Sequence, residues 1–356
     1  MSQLSTTNPG LTQRLDAALS GLAPGYFALV MATGIVSVAM HSNGLKWLSA
    51  TLLVIAGVAY LCLVLLFTLR FFRHREAVQQ DFADPARAFG FFTFVAATCV
   101  LGSRLGIEGY FGLALAMLVV ASVAWVLLGY VIPWTAVLGR TMRPVLQTAN
   151  GTWFIWVVAS QSVAVLAATL EVIFDQHRRV LALMAVFSWS VGIFLYAAAG
   201  VFVGARMLLY ELKPESLTPP YWVAMGATAI TVVAGARIVG MAEAPMVDAT
   251  RGLIAGASVF FWAFGSWLIP QLIVAGYWRH FIHKVPLKYE AAWWSVVFPL
   301  GMYGVGSRFL GEADKLPIVK MIGFYESWIA LGAWTLVFVA MVVNLYRSVL
   351  RSPTSF

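Results

Sequence analysis

Long apolar segments, separated by short polar connections, follow one another along almost the whole chain. A helix needs about 20 consecutive apolar residues to cross the hydrocarbon core of a bilayer. By this measure the chain of 356 residues contains ten predicted spans, at 24–42, 46–71, 86–105, 110–133, 150–170, 180–206, 219–240, 250–277, 290–309 and 320–346. The sequence therefore predicts an all-α integral membrane protein. One transmembrane domain, 24–346, lies between a polar N-terminus, 1–23, and a short C-terminus, 347–356.

The composition supports a membrane location and argues against nucleic-acid binding. The chain is 61% hydrophobic and 11% charged, whereas soluble domains average about 25% charged residues. Its net charge of +8 comes from basic residues that stand singly in short loops. The two cysteines, Cys62 and Cys99, lie in apolar spans and offer neither a disulfide framework nor the spacing of metal ligands. No apolar segment precedes the first span, so we expect no cleaved signal peptide.

Basic residues are unevenly divided between the two sets of loops. With ten spans both termini lie on one side, and that side holds 14 of the 23 Lys and Arg residues. Short loops that are rich in Lys and Arg stay in the cytoplasm. We therefore predict a multi-pass protein of the plasma or inner cell membrane with both termini cytoplasmic.

The odd-numbered spans resemble one another, whereas the even-numbered spans are more uniformly apolar. The first begins PGYFALVMATGI and the seventh PPYWVAMGATAI, and the third, seventh and ninth end in GSRLG, GARIVG and GSRFLG. Repeats in membrane proteins usually assemble symmetrically around a shared feature. We therefore predict five helical hairpins, with the odd helices lining a central pore and the even helices outside. For any single Gly or Thr, ordinary close packing of helices is the alternative.

An arginine closes three of the odd spans, on the side opposite the termini. These residues are Arg104, Arg237 and Arg308. A ring of positive charge concentrates anions at the mouth of a pore. We predict that the three arginines form such an anion mouth for a small anionic substrate. The alternative is that they extend to lipid headgroups.

The ninth span contains a Phe-Pro-Leu-Gly sequence that weakens a helix halfway across the membrane. Pro299 removes a backbone donor and Gly301 adds flexibility, so we predict a pore kink there. Phe298 stands at this kink, and Phe94 has the same offset from the arginine of the third span. A bulky apolar ring can close a narrow pore, which makes both residues candidate gates. The alternative is a pair of ordinary core residues, since the chain has 24 Phe residues.

Three segments, PGYFALVMATGIVS, NGTWFIWVVASQSVAVL and WWSVVFPLG, resemble the tellurite-resistance/dicarboxylate transporter family. That family includes bacterial tellurite-resistance permeases, fungal malate and sulfite transporters and plant slow anion channels. The resemblance extends from about Pro24 to the tenth span. It implies ten helices in five hairpins, a pore of odd helices, a homotrimer with one pore per subunit, and a pore-blocking ring at Phe298. The anions it implies are C4-dicarboxylates, tellurite, sulfite and small inorganic anions.

The motifs of a membrane-embedded enzyme or an ATP-driven pump are absent from the sequence. It has no G-x-S-x-G or Walker sequence, and the pair His280 and His283 has no neighbouring Cys. We expect no catalytic residue, metal or cofactor. A channel and a proton-coupled dicarboxylate carrier both stay open, because a carrier needs a titratable group at membrane depth. Glu326, in the tenth span, is the candidate for proton coupling.

Overall fold

The computed structural model describes residues 10–139, 143–242 and 244–347, and within them all regular structure is helical. The α-helices are α1 (Leu11–Ser20), α2 (Ala28–Ser42), α3 (Lys46–Arg73), α4 (Arg75–Ala83), α5 (Phe92–Ile107), α6 (Phe111–Ile132), α7 (Phe154–Glu171), α8 (Arg178–Leu209), α9 (Val223–Val239), α10 (Pro245–Tyr277), α11 (Trp294–Ala313) and α12 (Pro317–Leu345). Short π-helical turns, Pro133–Leu138 and Trp278–Ile282, extend α6 and α10.

Nine helices of the described residues are long and apolar enough to cross a membrane. The protein is therefore a multi-pass membrane protein, as the sequence predicts. Helix α11 covers most of the ninth predicted span but is not one of the nine, so the count of ten stays a prediction. Helix α1 lies within the predicted polar N-terminus. Residues 1–9 and all but Arg347 of the predicted C-terminus lie outside the described residues.

The helices divide into a buried set and an exposed set, in alternation along the chain. In α7, 94% of the most apolar stretch is buried, against 11% in α12. Helices α2, α5, α7, α9 and α11 are the buried ones, and we call them the inner helices. Each is followed by an exposed helix that packs on it: α3, α6, α8, α10 and α12.

The inner helices form a closed ring. Each contacts the next in the order α2, α5, α7, α9, α11, and α11 contacts α2. Small residues permit this close approach, because a Cβ on Gly301 would lie 2.9 Å from Cγ2 of Ile35 on α2. On the other side of α11, a Cβ on Gly226 of α9 would lie 2.8 Å from Cγ of Pro299.

A short 3₁₀ turn leads into every inner helix, and each turn ends on an aromatic residue. We call these segments the opening turns: Pro24–Phe27, Ala88–Phe91, Gly151–Trp153, Pro219–Trp222 and Ala291–Trp293. They contact one another in the same cyclic order as the helices that follow them. The N-terminal ends of all five inner helices therefore meet at one end of the ring, and the inner helices run in parallel.

Candidate functional site

Two cavities lie inside the ring, one towards each end. The lower cavity has a volume of about 150 Å³, and every opening turn contributes to it through Gly25, Gly90, Thr152, Pro220 and Ala292. The upper cavity has a volume of about 30 Å³, and every inner helix contributes to it through Ile35, Cys99, Ser162, Ile230 and Met302. Because all five inner helices contribute to both, the two cavities lie on the axis of the ring.

Phe298 lies on α11 between the residues that line the two cavities. Ser295 of α11 lines the lower cavity and Met302 lines the upper cavity. Residues 295, 298 and 302 share one face of the helix, and the seven residues rise about 10 Å. Phe298 is only 1% exposed. On α7, Ile155 lines the lower cavity and Ser162 the upper cavity. These residues are also seven positions apart, so the stretch of α7 between the cavities is as long as that of α11.

Pro299 and Gly301, the predicted pore kink, both lie within α11. Helix α11 extends through Pro299, which packs on Gly226 of α9, while Gly301 packs on Ile35 of α2. A proline has no N–H to donate to the carbonyl four residues earlier. The carbonyl that loses its partner is that of Ser295, a residue of the lower cavity. A freed carbonyl is best tolerated beside such a cavity.

Phe94 lies on the outer side of the ring. Its ring centroid lies 5.2 Å from that of Phe27 and 6.2 Å from that of Tyr60 on α3. It lines an apolar groove shared with Phe67 of α3 and Leu128 of α6. Phe94 therefore does not share the position of Phe298, contrary to the prediction of a second gate, because aromatic side chains of the outer helix α3 pack against it.

Arg104 is locked between helices. Its side chain is fully buried, and its Nε and Nη2 atoms donate hydrogen bonds of 2.9 and 2.8 Å to the hydroxyls of Ser37 and Ser49. Nη2 also lies 2.7 Å from Oε1 of Glu108. These contacts fix α5 to α2 and α3. Arg104 does not line the upper cavity, so the structure corrects its predicted place at a mouth.

Arg308 belongs to a small polar cluster beside the ring. Its Nη1 donates a hydrogen bond of 2.8 Å to Oδ1 of Asn43, and its Nε lies 3.3 Å from Oε1 of Glu312. The same carboxylate oxygen lies 3.1 Å from Nζ of Lys320. Two cations thus share the carboxylate of Glu312, and Arg308 does not line the upper cavity.

Arg237 is the predicted mouth residue that does line the upper cavity. Its Cζ atom lies 4.9 Å from the ring centroid of Phe309, another lining residue, in a cation–π contact. Within the described part of the chain, no carboxylate lies within 4.0 Å of it, and its buried Nε has no hydrogen-bond partner. Arg237 therefore keeps its hydrogen-bonding capacity and its charge for a ligand.

Two serines of the upper cavity were not found by sequence analysis. Ser103 of α5 and Ser162 of α7 line it, and neither hydroxyl has a hydrogen-bond partner among the described residues. Ser103 belongs to the G-S-R motif that we interpreted only through its arginine. The motif alone does not reveal the role, because Ser307 of the ninth span accepts a hydrogen bond of 2.9 Å from Nε1 of Trp262 instead.

The lower cavity also has a cation, Arg87, which lies at the start of the third predicted span. Arg87 lines this cavity, and its Nε lies 2.6 Å from Oδ1 of Asp81. The other oxygen of Asp81 lies 2.8 Å from Nη1 of the buried Arg70. Two cations thus share one carboxylate. The N-terminal ends of the inner helices add partial positive charge at the same end of the ring, so the local field favours anions.

Glu326 lies on the outer helix α12 and is half-buried. It lies close enough to Tyr303 of α11 to interact with it electrostatically, and the Tyr303 hydroxyl is 2.7 Å from Oγ of Ser266. Among the described residues, no Lys or Arg nitrogen lies within 4.0 Å of its carboxylate. Glu326 lines neither cavity, so any proton coupling through it would act from outside the ring.

Residues 21–342 match the family model described as voltage-dependent anion channel, SLAC1. The chain belongs to this family. The match spans the whole ring with its outer helices, and the family includes the relatives that the sequence resembles. Its members are transporters and channels, so this member of the SLAC1 family is not an enzyme.

Named relatives agree with this assignment. Residues of this chain are 64% identical over 162 positions to the uncharacterized membrane protein Rv1735c of Mycobacterium tuberculosis, covering 46% of this chain and 82% of the relative. The uncharacterized transporter MJ0576 of Methanocaldococcus jannaschii is 24% identical over 341 residues, which cover 92% of this chain and 94% of the relative. The sulfite efflux pump SSU1 of Trichophyton rubrum is 21% identical over 361 residues, covering 93% and 92%. These relatives support anion transport across a membrane.

Proposed function

We propose that this protein is an anion channel whose path follows the axis of the ring and is closed by the side chain of Phe298. The observation that carries the proposal is the position of that side chain, buried on the same helix face as Ser295 and Met302 and between these two residues, which line the two cavities. A hydrophobic constriction of this kind blocks ions because none can pass it with its hydration shell intact. The transported anion belongs to the set that the resemblance implies: C4-dicarboxylates, tellurite, sulfite or a small inorganic anion.

The charges at the two ends of the path support an anionic substrate. Arg87 and the N-terminal ends of the inner helices lie at the lower cavity, and Arg237 lies at the upper cavity. Positive potential at both openings raises the local concentration of anions and repels cations. Of the three predicted mouth arginines, Arg237 lines the upper cavity, whereas Arg104 and Arg308 contact Glu108 and Glu312 outside it.

The proposed membrane arrangement is ten transmembrane helices in five hairpins. The protein lies in the plasma or inner membrane of the cell, and both termini are in the cytoplasm. The parallel inner helices and their exposed partners support the hairpins, because an outer helix returns the chain to the same side each time. The lower cavity then opens to the cytoplasm. We further propose that the protein is a homotrimer in the lipid bilayer with one path per subunit, as the resemblance implies.

Anion flux into proteoliposomes tests the proposed function. Purified protein is reconstituted, and uptake of sulfite, nitrate and malate is measured with and without a pH gradient, alongside protein-free vesicles. A channel conducts down the anion gradient at a rate that the pH gradient does not change. Flux no higher than that of the protein-free vesicles for every anion would contradict anion transport.

A proton-coupled carrier is the second candidate, and Glu326 favours it. A carboxylate at membrane depth without a nearby cation is costly, and such residues often serve in proton relays. In the same vesicles a carrier would accumulate the anion when the pH gradient is imposed, and Glu326→Gln would abolish that accumulation. Accumulation that survives Glu326→Gln would exclude this residue from the coupling.

A further inference from the structure

We propose that Arg237, Ser103 and Ser162 form a binding subsite for one small monovalent anion in the upper cavity. The proposal rests on the proposed function, because it describes a stop on the same path. It assigns two hydroxyl groups to the substrate and it narrows the class of substrate. The three residues come from α9, α5 and α7, which are neighbours in the ring.

The unpartnered polar atoms of the upper cavity point to a ligand. Ser162 is 1% exposed and Ser103 is 8% exposed, yet neither hydroxyl has a hydrogen-bond partner among the described residues. The buried Nε of Arg237 is also unpartnered there. Burying a polar group without a partner costs about 1–3 kcal/mol. An anion in the cavity would accept hydrogen bonds from these donors, which would offset part of this cost.

The charge of the cavity limits the charge of the ligand. Within the described residues, Arg237 is the charged residue that lines it, and Arg104 and Arg308 are held by Glu108 and Glu312 outside it. One cation balances one negative charge. A dianion would retain a second charge, which is costly to hold among apolar side chains.

The walls and the size of the cavity narrow the class further. Most of the lining is apolar, as in Val38, Val100, Val233, Met302 and Val305. Such walls replace few of the water molecules that an anion loses on entry, so weakly hydrated anions enter at lower cost. The volume of the upper cavity, about 30 Å³, suits a halide or a small oxoanion such as nitrate. A four-carbon dicarboxylate has both too many atoms and too many charges for this subsite.

Phe309 positions the cation of the subsite. Its ring lies under the guanidinium of Arg237, a contact that restrains the flexible side chain without consuming its hydrogen-bond donors. The planar guanidinium of Arg237 therefore keeps its N–H donors available to a ligand. Arg237→Lys would keep the charge and lose the planar guanidinium.

Binding and flux are measured separately to test the subsite. Binding is the rise in melting temperature of the purified full chain with increasing sodium nitrate, against sodium sulfate at matched ionic strength, because a ligand of the native state stabilises it in proportion to its occupancy. Flux is nitrate uptake into proteoliposomes. The variants are Arg237→Gln, Arg237→Lys, Ser103→Ala and Ser162→Ala. The matched controls are Arg308→Gln and Ser122→Ala, in which the serine lies on α6 and donates to Leu118 O.

The subsite predicts a specific pattern. Arg237→Gln raises the half-saturating concentration of nitrate about tenfold or more, since a hydrogen bond to a charged group contributes about that factor. Each Ser→Ala variant raises the half-saturating concentration of nitrate several-fold. The melting temperature of each such variant without nitrate is equal to or higher than that of the parent, because an unpartnered hydroxyl has been removed. The half-saturating concentration of nitrate for Arg237→Lys lies between those of Arg237→Gln and the parent. The two controls bind nitrate as the parent does.

The outcomes separate this proposal from the proposed function. An equal nitrate-dependent rise in melting temperature in the parent and all four variants would overturn the subsite, whatever the flux. The expected binding pattern without flux in the parent would overturn the channel and leave the subsite standing. Malate that competes with nitrate as strongly as bromide does would contradict the restriction to small monovalent anions.

Discussion

Ser295 and Met302 lie seven residues apart on one face of α11, and each lines a different cavity on the axis of the ring. The Phe298 side chain lies between them and is buried. The segment of α11 between the two cavities is therefore about two helical turns long. Beside this segment the neighbouring helices approach α11 closely, at Gly226 and Gly301, where a larger side chain would collide.

Arg104 is expected to stabilise the fold instead of attracting anions. Arg104→Gln leaves the carboxylate of Glu108 and the hydroxyls of Ser37 and Ser49 without their buried partner. Glu108 is 39% exposed, so the main loss is that of the buried hydrogen bonds to the two serines, which costs about 1–3 kcal/mol. Arg308→Gln, in a partly exposed pair, should cost about 0–1 kcal/mol. Thermal unfolding of the two purified variants measures the difference, and equal melting temperatures would contradict the structural role of Arg104.

The close approach of α9 and α11 is expected to be intolerant of an added methyl group. In Gly226→Ala the new Cβ would lie 2.8 Å from Cγ of Pro299, and overpacking of this kind costs about 1–3 kcal/mol. Gly57→Ala on the outer helix α3 is the control, because nothing lies within 4 Å of its Cβ. There alanine should stabilise the helix by up to about 1 kcal/mol. Melting curves that shift equally for both variants would contradict the proposed packing.

The effect of salt on flux is expected to depend on Arg237. Its charge acts on free anions through a field that salt screens, with a Debye length of about 10 Å at 0.1 M. Arg237→Gln should therefore reduce anion flux most at low ionic strength, while Arg308→Gln should have little effect at any ionic strength. If the ratio of variant flux to parent flux is the same at low and at high salt, Arg237 acts on the anion through direct contacts and not through a long-range field.

The orientation in the membrane is tested by a reporter. A reporter fused after residue 356, active only in the cytoplasm, should be active, because the loops on that side have the larger share of Lys and Arg. Fusions in the connection between α2 and α3, at the other end of the ring, should be inactive. An inactive C-terminal fusion with an active α2–α3 fusion would invert the proposed orientation.

The separation into inner and outer helices could be predicted from the sequence because it depends on composition. Inner helices need small residues for close packing and outer helices need only apolar ones, and this difference is visible in each span. The opening turns could not be predicted in the same way. Their meeting at the lower cavity depends on contacts between segments far apart in the chain, such as Gly25 with Gly90.

The candidate site was only partly predictable because equivalent positions in a repeat have different neighbours. Arg104 contacts two serines and Glu108. Arg308 contacts Asn43 and Glu312, whereas Arg237 lines the upper cavity. Their motifs are alike, but Arg104 and Arg308 each have a glutamate four residues later, Glu108 and Glu312, whereas Arg237 has Met241 there, a difference that the motif comparison did not use. In contrast, Phe298 could be singled out, because the proline that follows it marks a position where a helix has lost a hydrogen bond.

The most direct test of the central claim is anion conductance of purified Phe298→Ala, recorded in bilayers or as liposome flux, together with its melting temperature. Phe94→Ala is the control, because its ring packs against α3 outside the path. If Phe298 closes the path, Phe298→Ala conducts anions well above the parent with little loss of stability, and Phe94→Ala conducts as the parent does. A core residue would instead lose about 3–5 kcal/mol and gain no conductance. Unchanged conductance in Phe298→Ala, with a large fall in melting temperature, would contradict the gate.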